Sequence, residues 1–239
     1  MTRDEELRRL NTDLVHNLVK DKEAYSYLQG RGLTSETIWN WELGYCPMEW
    51  NHSLRGRVTF PIRDSRGYLV SIGGRILPQY FEDKSTPKYY NLPYSKASTL
   101  FGLQKCLVTR GIRKQRLAVV VEDYFGVLVA HQTGYENVVS VCGSFFTEAH
   151  LGMLLREAEF IVVAFDNDEG GEKGWESVKE MSLKYDYPIF QVKLDRDLDE
   201  VLLQDREWLK EACQNVIFKL TDEDSLWKSW RDRLARLAE

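Results

Sequence analysis

The sequence predicts an α/β fold with an α+β N-terminal subdomain, a parallel sheet covered by helices, and a short helical tail. From Leu117 onward, short apolar runs alternate with helical patterns, which is typical of parallel strands joined by helices. Before that point, helical patterns come first and a β-rich stretch with turn residues follows. These patterns predict three segments, at residues 1–115, 116–204 and 205–239.

The first segment is predicted to begin with helices and to continue into a β-hairpin. Val58–Phe60 and Tyr68–Ile72 are rich in β-forming residues, and Asp64–Gly67 between them has the composition of a turn. The stretch from Phe81 to Lys96 contains Pro, Lys and Tyr and is predicted to be a loop. The predicted helices are Glu5–Val19, Ala24–Gln29, a helix capped by Thr34 or Ser35 that runs to Trp41, and Thr99–Thr109.

The second segment is predicted to contain four parallel strands with helices between them. Leu117–Val121 is a continuous apolar run, as a strand buried on both faces requires. A helical pattern follows this first strand and ends at His131. Two further helical patterns run from Thr147 to Ala158 and from Gly174 to Tyr185. The other predicted strands are Val138–Val141, Phe160–Phe165 and Ile189–Leu194, and the tail Trp208–Glu239 is predicted to be an amphipathic helix.

The composition is that of a folded protein without a secretion signal. Of the 239 residues, 43% are hydrophobic and 29% are charged, which are ordinary values for a globular chain. Met1–Lys20 is charged throughout, which excludes a signal peptide, and no apolar run approaches membrane-spanning length. The 4 cysteines are scattered, so the sequence predicts no structural zinc and a cytoplasmic setting. The net charge of -5 still allows a local patch that binds nucleic acid.

Acidic residues follow three of the four predicted strands. Glu122 comes directly after the first strand, and Asp166 and Asp168 end the third. Asp197 and Asp199 follow the fourth. Because the carboxyl ends of parallel strands lie at one edge of a sheet, these acids are expected to converge. The alternative for each single acid is a helix cap or a solvated loop residue, and this alternative is strongest for the last pair.

A converging set of carboxylates predicts a site for a hard divalent cation. Carboxylates repel each other unless a cation lies among them. Oxygen ligands without a supporting His or Cys favour Mg²⁺ or Mn²⁺, and Mg²⁺ takes further ligands from substrate phosphates. Two such ions about 3.5–4 Å apart can activate a 3′-hydroxyl and stabilise a departing pyrophosphate.

The order of the acids resembles the Toprim domain, which occurs in bacterial-type primases, topoisomerases, small nucleases and recombination mediators. The Toprim pattern is a Glu after one strand, Asp-x-Asp after a later strand, and a further acidic pair. The resemblance implies that Glu122, Asp166 and Asp168 are catalytic and bind the metal. It also implies that Asp197 and Asp199 complete the metal site, directly or through water.

Motifs before the Toprim segment resemble the polymerase core of DnaG-type primases. Arg55–Asp64 followed by Gly67 is similar to a primase motif, and so are Gly73–Arg75 and Pro87–Asn91. The similarity runs from Tyr27 to Leu203, in order and with family-like spacing. The other segments that resemble the family are Tyr27–Leu33, Leu43–Tyr45 and Phe101–Leu103.

This second resemblance implies that the N-terminal half holds a template backbone and a nucleoside triphosphate. Cationic side chains can bind phosphates, and arginine does so in bidentate fashion. A tyrosine ring can stack on a base of any sequence, and an asparagine can bind sugar or base edges. The residues expected to bind nucleotide or DNA are Arg55, Arg57, Arg63, Arg75, Lys88, Tyr89 and Asn91.

Two positions depart from the Glu-Gly-x-x-Asp pattern that the family has after the first strand. Asp123 stands where the family has Gly, and Gly126 stands where the family has the second acid. Our hypothesis is that Asp123 compensates as a metal ligand or that fewer metal ions bind. The change from Asp-Gly-Asp to Asp166-Asn167-Asp168 is mild because Asn tolerates a left-handed backbone.

Together, the two resemblances imply a DNA primase that makes short RNA primers on single-stranded DNA with Mg²⁺ or Mn²⁺. The chain begins almost directly at the polymerase core, so we expect a phage or mobile-element protein and a separate zinc-binding primase subunit. A replicative helicase is the other expected partner, with the tail around Trp227–Trp230 as a docking surface, and no membrane is expected. The alternatives are a Toprim nuclease and a non-catalytic DNA-binding subunit.

Overall fold

The computed structural model describes residues 2–81, 86–143 and 145–223 of the chain. The chain divides into two compact units, Met1–Gln104 and Lys105–Glu239. The part of the predicted helical tail beyond Glu223, including Trp227 and Trp230, lies outside the described residues. No helix in the described ranges is long and apolar enough to cross a lipid bilayer.

Three helices open the first unit, and polar side chains cap their N-termini. Thr2 caps the first helix, Asp21 the second and Thr34 the third, and each cap accepts a hydrogen bond from a backbone amide of the first turn. These caps and the apolar faces behind them confirm the three predicted helices. The helices are α1 (Arg3–Lys20), α2 (Lys22–Gly30) and α3 (Ser35–Asn40).

An antiparallel four-stranded sheet completes the first unit. In spatial order its strands are β1 (Gly44–Cys46), β2 (Arg57–Arg63), β3 (Leu69–Ile76) and β4 (Tyr89–Asn91). The predicted hairpin is confirmed, because β2 and β3 are antiparallel neighbours. The predicted loop between Phe81 and Lys96 is wrong at β4, which pairs with residues 73–75 of β3. A three-residue strand is too short to show alternation, so its pairing with β3 decides its structure.

The second unit is built on the alternation of strands and helices that the sequence predicts. Two short helices, α4 (Leu103–Thr109) and α5 (Gly111–Gln115), precede its first strand. In chain order its elements are β5 (Leu117–Val121), α6 (Tyr124–Gln132), β6 (Val138–Ser140), α7 (Glu148–Leu154), β7 (Phe160–Val163), α8 (Glu169–Tyr185), β8 (Ile189–Gln191), α9 (Leu198–Gln204) and α10 (Trp208–Glu223).

The strands of the second unit form one parallel sheet in the order β6-β5-β7-β8. The two central strands, β5 and β7, are buried along almost their whole length, which explains why they are continuous apolar runs in the sequence. All four strands point the same way, so their carboxyl ends lie at one edge. The residues that follow these ends determine the chemistry of that edge.

Candidate functional site

Glu122 and Asp166 meet at the carboxyl edge of the parallel sheet. Glu122 follows β5 directly, and Asp166 lies just beyond β7, the neighbouring strand. The backbone amide of Asp166 donates a hydrogen bond to Oε1 of Glu122 at 3.1 Å. The backbone amide of Gly143, in the loop after β6, donates to the main-chain oxygen of Glu122 at 2.7 Å. Hydrogen bonds from two neighbouring loops therefore hold Glu122, and the contact with Asp166 brings two of the predicted acids together at this edge.

Asp123 and Asp168 begin the two helices that leave this edge. Asp123 is the N-cap of α6 and accepts a hydrogen bond from the amide of Gly126 at 2.8 Å. Asp168 is the N-cap of α8 and accepts from the amide of Gly171, also at 2.8 Å. Both carboxylates thus cap helices, which for Asp168 is the role that the sequence left as an alternative, and the charges of both raise the pKa of Glu122.

The second acidic pair lies at the start of α9, a short helix that the sequence analysis did not predict. Asp197 precedes α9, and Asp199 in its first turn is only 1% exposed. Helix α9 packs against α6, and Cβ of Leu198 lies 3.6 Å from the position that a Cβ atom on Gly126 would take. This packing brings the start of α9 to the helix that follows Glu122. A buried carboxylate at this place is costly unless a proton, a donor or a cation stabilises it.

Gly171 packs the first turn of α8 tightly against the site. A Cβ atom at this position would lie 1.9 Å from the main-chain oxygen of Asp166 and 3.0 Å from Oε1 of Glu122. Only a residue without a side chain allows the helix to approach the two acids so closely. One signal for this role is visible in the sequence, because a glycine pair, Gly170-Gly171, lies just after Asp166 and Asp168.

The donor set of the edge fits a hard divalent cation. Its side-chain ligands are carboxylates, and such a set favours Mg²⁺ or Mn²⁺ over softer metals. Within the described ranges, no three acidic, His or Cys side chains are already grouped as a metal site. Asp123 and Asp168 instead accept hydrogen bonds from the first turns of their own helices.

The pKa of Glu122 reflects the crowding of acids at the edge. Burial raises this pKa from 4.5 to about 7, and the negative charge of Asp166 adds to the effect. The hydrogen bond from the Asp166 amide opposes the shift, while Asp168 and Asp123 contribute smaller increases. Near neutral pH, Glu122 can therefore hold or release a proton, and a cation at the edge would favour the deprotonated carboxylate.

The raised pKa of Glu122 predicts a pH-dependent stability of the metal-free protein. The folded state binds this proton more tightly than the unfolded chain, so the stabilisation exists below pH 4.5 and is lost by about pH 7. We expect wild type to lose about 2 kcal/mol relative to Glu122→Gln between pH 5 and pH 8, after a reduction for partial solvent exposure. Urea unfolding in EDTA at both pH values measures this difference.

Two outcomes of that experiment are informative. Added Mg²⁺ at pH 8 should narrow the gap, because the cation stabilises the ionised carboxylate of wild type and not the amide of the variant. Parallel pH profiles for wild type and Glu122→Gln would contradict the raised pKa.

The basic residues of the first unit lie on both faces of the antiparallel sheet. Arg57 pairs with Ile76, whereas Arg75 pairs with Val58 and Tyr89. Because side chains alternate along a strand, this register points Arg57 and Arg75 to opposite faces. The two arginines therefore form two separate cationic positions.

Arg75 lies against Tyr89. Its Nη1 donates to the Tyr89 hydroxyl at 2.7 Å, and its guanidinium carbon is 5.1 Å from the centre of the tyrosine ring. Nζ of Lys88 is 6.0 Å from the same ring centre. Three of the residues that the sequence singled out, Arg75, Lys88 and Tyr89, are thus neighbours in the structure.

Arg57 lines a cleft of about 480 Å³ together with Arg55, His52 and Asn51. Its side chain is buried, with 4% exposure, and burial lowers its pKa. Its Nη1 donates to the main-chain oxygen of Lys88 at 3.3 Å. Among the residues that the structure describes, no hydrogen-bond partner contacts its Nε. A buried guanidinium with remaining donor capacity is suited to bind an anion such as phosphate.

The structure does not bring Arg63 to this cleft. Arg63 is at the opposite end of β2 from Arg57, where it forms an ion pair with Glu42 and donates to the main-chain oxygen of Gly67. It stabilises the hairpin turn there. Asn91 is half-buried at the end of β4, opposite Gly73.

The fold and the acidic edge define the class of protein. Residues 116–193 match the model of the Toprim domain, and residues 51–107 match the model of the N-terminal domain of the DNA primase catalytic core. The chain therefore contains a Toprim domain preceded by a primase-type N-terminal core domain. Its architecture is that of the DnaG-type primase catalytic core.

Related proteins agree with this assignment. The DNA primase of Deinococcus radiodurans is 37% identical over 187 residues, which cover 63% of this chain and 32% of the relative. The DNA primase of Aquifex aeolicus is 28% identical over 236 residues, which cover 84% of this chain and 46% of the relative. The chain thus spans between a third and a half of the length of these relatives.

Solved structures of primases have the same fold. The Aquifex aeolicus primase, solved with its zinc-binding and RNA polymerase domains, is 26% identical with a TM-score of 0.77. The alignment covers 90% of this chain and 62% of that structure. A primase domain from Pseudomonas aeruginosa is 27% identical with a TM-score of 0.75, and the alignment covers 87% of this chain and 77% of that structure. A DnaG primase catalytic domain bound to single-stranded DNA is 25% identical with a TM-score of 0.76, over 89% of this chain and 80% of that structure.

Proposed function

We propose that this chain is a DNA primase catalytic core that synthesises short RNA primers on a single-stranded DNA template. The observation that carries the proposal is the contact between Glu122 and Asp166 at the carboxyl edge of a Toprim domain, in a chain that also has the primase-type N-terminal domain. The reaction is attack of a 3′-hydroxyl on the α-phosphate of a nucleoside triphosphate, with pyrophosphate as the leaving group.

The acidic residues have separate roles in this proposal. Asp166 and Asp168 hold the principal cation, and Asp197 and Asp199 complete its surroundings directly or through water. Bound Mg²⁺ or Mn²⁺ supplies Lewis-acid chemistry that stabilises charge on the phosphates. Glu122 is a metal ligand or accepts the proton of the attacking hydroxyl, and a pKa near 7 is suited to that task.

Incorporation of labelled ribonucleotides tests the proposed reaction. The chain is incubated with single-stranded DNA, the four ribonucleoside triphosphates and Mg²⁺ or Mn²⁺, and the products are separated by length. We expect short RNA products that require template and metal. Shortening of end-labelled DNA without RNA synthesis would instead support the nuclease alternative, and metal-independent DNA binding without either product would support a non-catalytic subunit.

Partners of the proposed primase follow from the same reaction. Template DNA and nucleoside triphosphates are its substrates, and a replicative helicase and a zinc-binding primase subunit are its proposed protein partners. If the isolated chain makes no primers, addition of a zinc-bearing partner separates an incomplete primase from an inactive one. The proposed helicase contact at Trp227–Trp230 concerns residues outside the described ranges.

Asp123 is the residue at which metal binding and helix capping can be separated. Its Oδ1 would lie 3.1 Å from a Cβ atom on Gly126, so its carboxylate occupies space beside the position where the family has its second acid. Asp123→Asn keeps an N-cap but removes the charge. We expect this variant to need about tenfold more Mg²⁺ for half-maximal primer synthesis, equivalent to about 1.4 kcal/mol.

The control for Asp123 is the pair of substitutions Asp123→Gly and Gly126→Asp, which together restore the family arrangement. We expect the double variant to need less Mg²⁺ than Asp123→Asn, because it returns a carboxylate to the same region. If Asp123→Asn and Asp123→Ala both keep the Mg²⁺ dependence of wild type, Asp123 only caps α6.

Arg57 is expected to bind a phosphate of the substrate. Arg57→Met keeps an apolar stem and removes the charge. It should weaken binding of the substrate that carries this phosphate by about tenfold, because a charge-assisted hydrogen bond contributes about 1.5–3 kcal/mol. If the phosphate belongs to the template, the slope of log K against log salt for single-stranded DNA should fall by about 0.7. If it belongs to the nucleotide, KM should rise instead. Arg66→Met, at the exposed hairpin turn, is the control. If Arg57→Met leaves both the salt slope and the KM unchanged, Arg57 does not bind a substrate phosphate.

A further inference from the structure

A crevice of about 570 Å³ lies beside the acidic edge, between α8 and the end of β8. The crevice is lined by Asp166 and Asn167, which follow β7, and by residues of α8 that include Trp175. Gln191 at the end of β8 and Lys193 just beyond it also line the crevice. The crevice therefore includes Asp166, one of the two residues to which the proposed function assigns the principal cation.

Helical geometry sets the length of this crevice. Glu172, Trp175 and Lys179 are spaced by three and four residues on α8, so they lie along one face of the helix. Trp175 is seven residues beyond Asp168, which corresponds to about 10 Å along the helix axis. This distance is on the scale of one nucleotide. The Trp175 side chain is half-buried, so one part of it packs on the protein while another part remains accessible.

The charges in the crevice indicate where a phosphate is favoured. Three glutamates, Glu169, Glu172 and Glu176, line the part formed by α8. Two lysines of α8 also line the crevice and are paired with two of these glutamates, Lys173 with Glu169 and Lys179 with Glu176. The α8 side therefore carries one more negative than positive charge, which disfavours a phosphate beside Trp175. A phosphate fits instead at the Asp166 end, where a cation would neutralise it.

We propose that this crevice binds the nucleoside of a nucleoside triphosphate whose phosphates lie at the acidic edge, and that the Trp175 ring stacks on the base. This inference rests on the proposed function and assigns the nucleoside subsite of the same site. Stacking on an aromatic ring is tolerant of base identity, as a polymerase that incorporates all four ribonucleotides requires. Lys193, which also lines the crevice, can contact the triphosphate or the ribose.

The first experiment separates nucleotide binding from chemistry. Trp175→Ala should raise the KM for ribonucleoside triphosphates by about tenfold, as expected for loss of a stacked base, while kcat changes much less. Trp175→Phe retains a ring and should recover most of the affinity. Leu183→Ala is the matched control, because it removes a 73% exposed apolar side chain from the same helix.

A direct binding measurement keeps this inference separable from the proposed function. Equilibrium dialysis with α,β-methylene-ATP and Mg²⁺ needs no turnover, and Trp175→Ala should bind the probe about tenfold more weakly than wild type. Failure of wild type to make primers would remove the proposed function and leave this binding result intact. Thermal unfolding of each variant identifies any loss of folded protein, and Trp175→Phe provides the folded comparison.

Two results would overturn the inference. Equal affinity of wild type, Trp175→Ala and Trp175→Phe for the nucleotide would show that the ring has no role in binding it. An unchanged KM together with weaker binding of single-stranded DNA by Trp175→Ala would assign the crevice to a template base instead.

Discussion

Glu122→Gln and Asp166→Asn should each reduce primer synthesis by at least about 1000-fold, because each removes a charge from the place where the cation stabilises the reacting phosphates. Both substitutions keep the size of the side chain. Glu122→Gln also keeps an oxygen that can accept the hydrogen bond from the Asp166 amide. The loss therefore reports the charge and proton chemistry of the site and not its packing.

The measurement is the initial rate of ribonucleotide incorporation on single-stranded DNA over a range of Mg²⁺ concentrations. Glu180→Gln, an exposed acid on α8, is the control and should retain the wild-type rate. The two active-site variants should keep near-normal affinity for single-stranded DNA, because the template contacts are assigned to cationic residues. If Glu122→Gln keeps more than about a tenth of the wild-type rate, Glu122 is not an essential ligand or base.

Gly171→Ala should abolish primer synthesis and destabilise the protein by about 3 kcal/mol, at the upper end of the range for overpacking. The added methyl group would lie 1.9 Å from the main-chain oxygen of Asp166, a backbone atom that cannot rotate away. Either the first turn of α8 or the loop that carries Asp166 must move. Both movements separate Asp166 from Glu122, so activity is expected to fall more than stability alone explains.

Two other glycines provide matched controls for Gly171→Ala. A Cβ atom on Gly111 would lie 2.0 Å from the main-chain oxygen of Glu136, so Gly111→Ala introduces a similar clash in the same unit without touching the acids. Gly152 in α7 has open space at the Cβ position, and Gly152→Ala should be neutral or stabilising by up to about 1 kcal/mol. Assays at a temperature where all variants are folded separate loss of activity from loss of stability. Full activity of Gly171→Ala at that temperature would contradict the proposed role of Gly171 in keeping Asp166 close to Glu122.

The alternation of strands and helices in the second unit could be predicted from the sequence because the central strands are buried on both faces. Burial of this kind forces continuous apolar runs such as Leu117–Val121, and a run of that length is visible without any tertiary information. Capped helices were equally visible, since Thr34 caps α3 by a local hydrogen bond. Strand β4 and helix α9 were missed because each is short and is stabilised mainly by its neighbours.

The acidic residues were located by sequence, but their individual roles were not. The position after a parallel strand is enough to place Glu122 and Asp166 at the same edge. The same reasoning left a helix cap as an alternative for Asp168 but did not decide it, and the hydrogen bonds that Asp123 and Asp168 accept from their own helices became evident only in the structure. It also gave no sign that Arg57 and Arg75 point to opposite faces, because only the strand register decides this.

The sequence by itself determined the order of the elements, the acids at the strand ends and the resemblance to primases, because these depend on local pattern and spacing. Tertiary structure alone decided which amide binds Glu122, how closely Gly171 approaches Asp166, and that Trp175 lines a crevice beside the acids. These features depend on distances between segments that are far apart in the chain. Only the packing of helices on the sheet determines such distances.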